Sequence, residues 1–495
     1  MKSINKIFLA FLTVFTLSCD NQLDINTDPN SPAEITTGLA LSAAQGSLVT
    51  VTGGDLSNLG GFYAQYHTQA PSAGQYEVID QYNLNTAYAN RLWTELYAGC
   101  LNDLEYVITE SNKTGDTSGA LMGTLLKAYT FQLLVDLFGD VPYTEALAGV
   151  NNITPNVTEG SIIYEDLISK IDAALASYNA NPSSTTIGKQ DIIYGSDMAK
   201  WVKFANTLKL KMYLRMSYTT KANPTKVNEL LTANNFLDTD AKFSNFGTSL
   251  NQRNPFYEVQ MVYLGDVNNV ASNSLFEYYN LNSDPRLEYV YRANTADAYL
   301  SISQGSGDTF NNLASNYSRP NIKADTPVYL MSVAESNFLQ AEALIRYAAG
   351  SGAKAKYDAG VIASFETYGV KTETASPSQL ATPFIASGGA YEYVENPDVE
   401  TAVRQVIIQK WASLAYINNI EAYIETTRTK LPEIVTQESA NYIVGNRVPS
   451  EISVLVGNAV PSILYYPNNE EERNPNITQH SSLTQKVWWD KKTNN

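Results

Sequence analysis

Histidine is almost missing from this chain of 495 residues: there are two, His67 and His480. A histidine metal site or a Ser–His–Asp hydrolase would have to be built on one of them. Neither lies in an HExxH pattern or near a GxSxG elbow, and no glycine-rich phosphate loop is present. Cysteine is equally scarce, with Cys19 and Cys100 alone. That excludes a disulfide framework once Cys19 is otherwise engaged. Cys100 falls in an aromatic-rich helical stretch and reads as a small buried hydrophobe. Basic residues are outnumbered, 33 Lys and Arg against 50 Asp and Glu, for a net charge of −17. Such a balance argues against nucleic acid and anionic lipid surfaces as partners. Beyond residue 18 no long uncharged apolar run predicts a membrane-crossing helix. The segment Asp24–Asp28 opens like a calcium loop, but Pro29 stands where glycine is needed and Ile35 where a bidentate glutamate is needed. No catalytic set, no metal and no cofactor is expected.

What is present begins at the N-terminus. Lys2 and Lys6 precede an apolar run from Ile7 to Leu17, and Ser18 stands just before Cys19. The run is too short to span a bilayer and has the layout of a cleaved export signal. A cysteine at the cleavage point is where a bacterial lipoprotein carries its acyl chains, and two or more such chains hold a protein on a membrane. Residues 1–18 are therefore expected to be a lipoprotein signal, Cys19 the lipidation site and 19–36 a polar tether. Residues 37–495 are expected to form one helical domain, with loop-rich insertions near 234–325, 370–400 and 435–480. Losing residues 1–18 would remove two lysines and no acid, which deepens the negative charge by two.

Helical periodicity is clear in several segments. Leu121, Leu125, Tyr129, Leu133 and Leu137 make one apolar face over about 120–138, stopped by Gly139 and Pro142. Met198, Trp201, Ala205, Leu208 and Met212 do the same over about 197–217, with Lys200, Lys203 and Lys211 expected on a solvated face. Further helices are predicted over about 326–349 and 403–428, and shorter ones near 36–50, 87–110, 159–178 and 354–368. Trp201 and Trp411 are expected in the core. Trp93 and Leu96 fit part of a tetratricopeptide signature, but no fixed repeat recurs. The fold class expected is mostly α, with helical pairs, large loop-rich insertions and few short strands.

Taken in order, the segments resemble those of the SusD/RagB family of Bacteroidetes outer-membrane lipoproteins, in its SusD-like branch. They are Leu23-Asp-Ile-Asn-Thr-Asp-Pro-Asn30, Asp136-Leu-Phe-Gly-Asp-Val-Pro-Tyr-Thr-Glu-Ala-Leu147, Trp201-Val-Lys-Phe-Ala-Asn-Thr-Leu-Lys-Leu210 and Asp284-Pro-Arg-Leu287. Ala334-Glu-Ser-Asn-Phe-Leu-Gln-Ala-Glu-Ala343, Gln409-Lys-Trp411, Tyr466-Pro467 with Asn474, and Trp488-Trp-Asp490 complete the series. The resemblance implies an irregular tetratricopeptide-like helical scaffold. It also implies a non-enzymatic, surface-exposed lipoprotein that binds nutrient oligosaccharide and passes it, as a lid, to a TonB-dependent SusC-like barrel. Glu335 and Glu342, one heptad apart, are read as satisfying buried hydrogen bonds.

Tyrosine numbers 33, with 16 Phe and 5 Trp. A sugar ring stacks its C–H face on an aromatic ring while its hydroxyls need polar partners. The segment from Gly61 to Tyr82 interleaves both kinds, and Pro71 and Gly74 break any continuous helix in it. Its candidate ligand residues are Tyr63, Gln65, Tyr66, His67, Gln75, Tyr76 and Tyr82, with Tyr66 and Tyr76 foremost. Arg253 and Tyr257 form a second candidate group in the mid-chain insertion. Helix-end packing is the competing reading for the tyrosines. Peptide is the alternative ligand, and a glycosidase with two carboxylates about 5–10 Å apart is the enzyme alternative. A helical-repeat adaptor without small ligands is the third class.

Overall fold

The computed structural model describes residues 35–307 and 313–493. Cys19, the signal and most of the tether lie outside the described residues. The longer helices are α1 (Thr37–Gly53), α2 (Asp55–Tyr63), α3 (Asn102–Thr114), α4 (Thr117–Phe138), α5 (Gly160–Ala180) and α6 (Met198–Arg215). They continue with α7 (Pro224–Ala233), α8 (Val333–Tyr347), α9 (Ala353–Tyr368), α10 (Val399–Ser413) and α11 (Asn419–Thr429). Side-chain caps start most of them: Thr36, Asp116, Asp197, Asn223, Ser332, Asp398 and Asn418 each accept from a backbone N–H of the first turn. Successive helices pack as pairs, α3 on α4, α4 on α5 and α8 on α9, while α11 packs on α2. The result is an irregular tetratricopeptide-like scaffold, mostly α.

Among the described residues the strands are short and form four antiparallel two-stranded ribbons. β1 (His67–Gln69) pairs with β5 (Asn269–Ala271), β2 (Val141–Pro142) with β3 (Val157–Thr158), β4 (Ala241–Phe243) with β8 (Val328–Met331), and β6 (Tyr291–Arg292) with β7 (Arg319–Pro320). The β1–β5 ribbon, with His67 opposite Ala271, ties the aromatic segment after α2 to the mid-chain insertion.

Three expectations, on two helices and on Lys211, are corrected. The helix predicted over 326–349 starts only at Val333, because Val328–Met331 pairs with β4 and the Ser332 side chain caps Glu335 N. The helix predicted over 403–428 is two helices, broken where Tyr416 takes φ 56° and Asn418 caps α11. Helix α4 is long and apolar enough to cross a membrane, yet its apolar window is almost wholly inside the protein. Lys211 is not on a solvated face: it is buried, 2.6 Å from Glu335. Trp201 and Trp411 are core, donating to Asp191 Oδ2 and to Ala64 O. Cys100 is buried against Thr130, and burial pushes its thiol up to about 12.

Where α4, α6, α8, α10 and α11 meet, the core is ionic. Arg215 reaches Asp136, Glu421 and Glu425. Arg428 forks onto Glu342 and Glu425, Lys410 meets Glu425, and Arg346 meets Glu342. Glu342 is thus ion-paired rather than merely hydrogen-bonded. Its carboxyl is held below the ordinary range by Arg428 and Arg346, which outweigh the opposing push of burial. Glu335 has only lysine as counter-charge, and there burial, helped by the nearby Glu421, wins and raises its pKa.

Candidate functional site

Five of the nine candidate ligand residues lie inside the protein. Tyr63, Gln65, Tyr66, His67 and Tyr82 are all buried. Tyr66 donates to Trp411 O at 2.5 Å, across 345 residues of sequence. Gln65, with φ 62°, donates to Val448 O and accepts from Val448 N and Ser274 Oγ. His67 stacks on Tyr416, accepts from its hydroxyl through Nδ1, and donates from Nε2 to Asn58 O. Burial takes its pKa down to about 3, so the ring is neutral. Tyr63 packs edge-on against Tyr82 and Tyr423. These side chains meet the protein's own backbone and side chains, not solvent, which corrects the ligand role expected for them.

Gln75 is exposed and Tyr76 half-buried. Arg253 is committed to Glu258 at 3.0 Å and to Thr248 O, and Tyr257 opens the π-helical turn Tyr257–Tyr263. The segments around Tyr76 and Tyr257 nevertheless converge. A cleft of about 250 Å³ lies between the start of α2, the stretch around Tyr76 and Tyr88, and that π turn. Tyr76, Tyr88 and Phe256 supply its aromatic surface, and Asp55, Arg91 and Gln260 supply its polar groups. Tyr76 is fixed at both ends: its N–H donates to Gln69 Oε1, and its hydroxyl accepts from Gln260 Nε2 at 2.6 Å. Its ring meets Phe62 edge-on, 5.8 Å between centroids.

Gln260 is 5% exposed. Its Nε2 is used on Tyr76, but its Oε1 has no hydrogen-bond partner. A buried carbonyl oxygen without a donor is costly, about 1–3 kcal/mol, and is a position where a ligand hydroxyl gains most. Arg91 meets Asp55 at 2.7 Å near the solvent side. Asp55 is the single carboxylate lining the cleft. Glycoside hydrolysis needs two, flanking the bond, so the arrangement is suited to binding: half-buried rings to stack on, an amide oxygen to accept, a guanidinium to donate. Sequence reasoning found Tyr76 but missed Asp55, Tyr88, Arg91 and Gln260. Tyr88 and Arg91 lay in a stretch predicted simply as helix, and nothing in the local sequence marks Gln260.

The chain belongs to the SusD-like family: residues 29–453 match the family profile described as "Starch-binding associating with outer membrane". Solved structures share the fold. A SusD homolog from Bacteroides uniformis is 21% identical, with a TM-score of 0.72 over 92% of this chain and 100% of that one. A SusD homolog from Bacteroides thetaiotaomicron is 20% identical, with a TM-score of 0.73 over 93% and 100%. A chitin-binding SusD homolog from Flavobacterium johnsoniae is 17% identical, with a TM-score of 0.71 over 92% and 97%. No curated protein sequence matches the chain.

Proposed function

We propose that this protein is a non-enzymatic, lipid-anchored binding protein of the outer membrane. It captures nutrient oligosaccharide in the Tyr76–Tyr88 cleft and delivers it to a TonB-dependent SusC-like barrel, over which it acts as a lid. The observation that carries the ligand class is the pairing of half-buried tyrosine rings with the unpartnered Gln260 oxygen. Stacking on a C–H face and accepting from a hydroxyl is what a sugar requires. Family membership and the chitin-binding and starch-binding descriptions of its relatives support the same class. Peptide remains the second reading because of the Arg91–Asp55 pair, whose charges complement a peptide carboxylate and amine.

Titration of chito- and malto-oligosaccharides, each followed by a reducing-end assay, tests the reading. Saturable binding without new reducing ends supports a carrier; turnover contradicts it. Replacing Cys19 with alanine should leave the protein folded but release it from the membrane fraction. A mild-detergent pull-down from cells grown on the inducing nutrient should recover one large β-barrel, and its absence counts against the delivery step.

A further inference from the structure

A second cavity, of about 200 Å³, lies at the C-terminal end of α11. Its character is unlike that of the acidic chain as a whole. Lys430, Arg447, Lys486 and Lys492 all line it. Two of these are compensated: Lys430 meets Asp490 at 2.7 Å and Lys492 meets Glu400 at 2.6 Å. The other two are not. Arg447 is 2% exposed, and its bonds from Nε and Nη1 go to the backbone carbonyls of Pro432 and Tyr63. Among the described residues it makes no ion pair, and Nη2 makes no bond. Lys486 is exposed at the rim and likewise has no carboxylate partner there.

A buried guanidinium with no carboxylate in contact is rare, because removing a charge from water is repaid only by pairing; Glu433 acts on Arg447 only through space and is itself forked by Arg404. The contrast with the rest of the molecule is direct. Arg215, Arg286 and Arg428, all buried, each have a carboxylate within 3.0 Å. We propose that this cavity is a binding site for the oxyanionic group of a small molecule, with Arg447 as its base and Lys486 as its rim. A planar guanidinium offers donors in a fork that suits a carboxylate, sulfate or phosphate. Ser462 adds a half-exposed hydroxyl that makes no side-chain bond among the described residues. Burial pushes the Lys430 pKa down and repulsion from Lys486 and Arg447 adds to it, while burial takes Arg447 down to about 10. A bound anion opposes both shifts by supplying the missing negative charge.

The site is separate from the oligosaccharide cleft. Arg447 touches the last residue of α2, whereas the cleft is lined by its first, a distance of roughly 12 Å along a helix rising 1.5 Å per residue.

Calorimetric titration at constant ionic strength, with inorganic phosphate and with glucuronate as probes, tests the proposal. Saturable binding of either probe is expected, weakened about tenfold or more by Lys486→Glu and by Arg447→Gln, and unchanged by Tyr76→Ala. Phosphate alone would identify a free tetrahedral anion as the source, and glucuronate a sugar carboxylate. Lys486 lies on the surface, so its variant keeps the test valid if Arg447→Gln fails to fold. Absence of saturation by both probes, or affinity untouched by Lys486→Glu, overturns the site. Because Tyr76→Ala is a separate arm, loss of oligosaccharide binding and loss of anion binding are told apart.

Discussion

The ionic centre of the helical scaffold and the Tyr76 cleft are both rich in polar groups, and they use them in opposite ways. In the centre, Lys211, Arg215, Arg346, Lys410 and Arg428 meet Asp136, Glu335, Glu342, Glu421 and Glu425, five against five. Every charge there has its partner on another helix or another turn. In the cleft the two tyrosine rings are half-buried and one amide oxygen is left without a donor. Groups paired deep in the core hold helices in register and have nothing left to give a ligand, unlike the exposed Arg91–Asp55 pair at the cleft. Unpaired ones lose stability in the free protein and regain it on binding. The difference separates the cleft from the ionic centre more sharply than residue type does, since arginine and a carboxylate occur in both.

Breaking the centre should have the largest effect. Arg428→Met strips Glu342 and Glu425 of their shared fork, leaving buried charges uncompensated, and should destabilise by about 3–5 kcal/mol. A urea midpoint within error of wild type would mean the network is not structural. Tyr66→Phe comes next. It removes one of two donors from the Trp411 carbonyl, which keeps the Leu414 N–H, for about 0.5–1.5 kcal/mol, and should not change oligosaccharide affinity in the folded fraction. Lost affinity with unchanged stability would return Tyr66 to the site.

Acid should act on the same contrast more gradually. His67 is held down to about 3, against 6.5 for an ordinary imidazole. The unfolded chain therefore binds more protons between those values, so the His67 contribution is full above pH 6.5 and is lost as pH falls towards 3. Glu342, Glu421 and Glu425 are lowered by their cations and add a loss of the same sign below the ordinary glutamate range. Asp136, raised by burial to about 6, works the other way, since protonating it relieves a cost. The urea midpoint should fall from pH 7 to pH 4, more steeply below about 4.5; a rise across that range contradicts the assignment. The smallest effect belongs to Arg253→Ala. Its partly exposed pair with Glu258 contributes about 1 kcal/mol or less, and affinity should stay unchanged, as its guanidinium is occupied.

The helices were largely legible in the sequence because a one-sided apolar period has one reading. Leu121 to Leu137 marks α4 without help from the rest of the chain. Legibility fails where a local pattern fits two structures. Val328–Met331 extends a helical apolar run, and only its pairing with β4 makes it a strand. The break at Tyr416 sits inside a continuous apolar stretch. Lys211 reads as a surface lysine until Glu335 arrives from α8. The same holds for the site: alternating tyrosine and glutamine predicts either a ligand face or a core. Distant partners decide it, Trp411 for Tyr66 and Val448 for Gln65, whereas Tyr76 is left half-open beside Gln260. Several family motifs prove to be parts of the scaffold. Asp136 of the 136–147 segment accepts from Trp489 of the C-terminal Trp488–Asp490 motif at 2.8 Å, and Arg286 of the 284–287 segment pairs with Asp284 at 2.6 Å.

The central claim is that the cleft binds oligosaccharide and the ionic centre only supports it. Calorimetric titration of a chito- or malto-oligosaccharide that saturates the wild-type protein, repeated on Tyr76→Ala, tests this most directly. Loss of one stacking platform removes about 1–3 kcal/mol, so affinity should fall roughly tenfold to hundredfold while the melting temperature moves by only a few degrees. Wild-type affinity in Tyr76→Ala, with the protein fully folded, would contradict it.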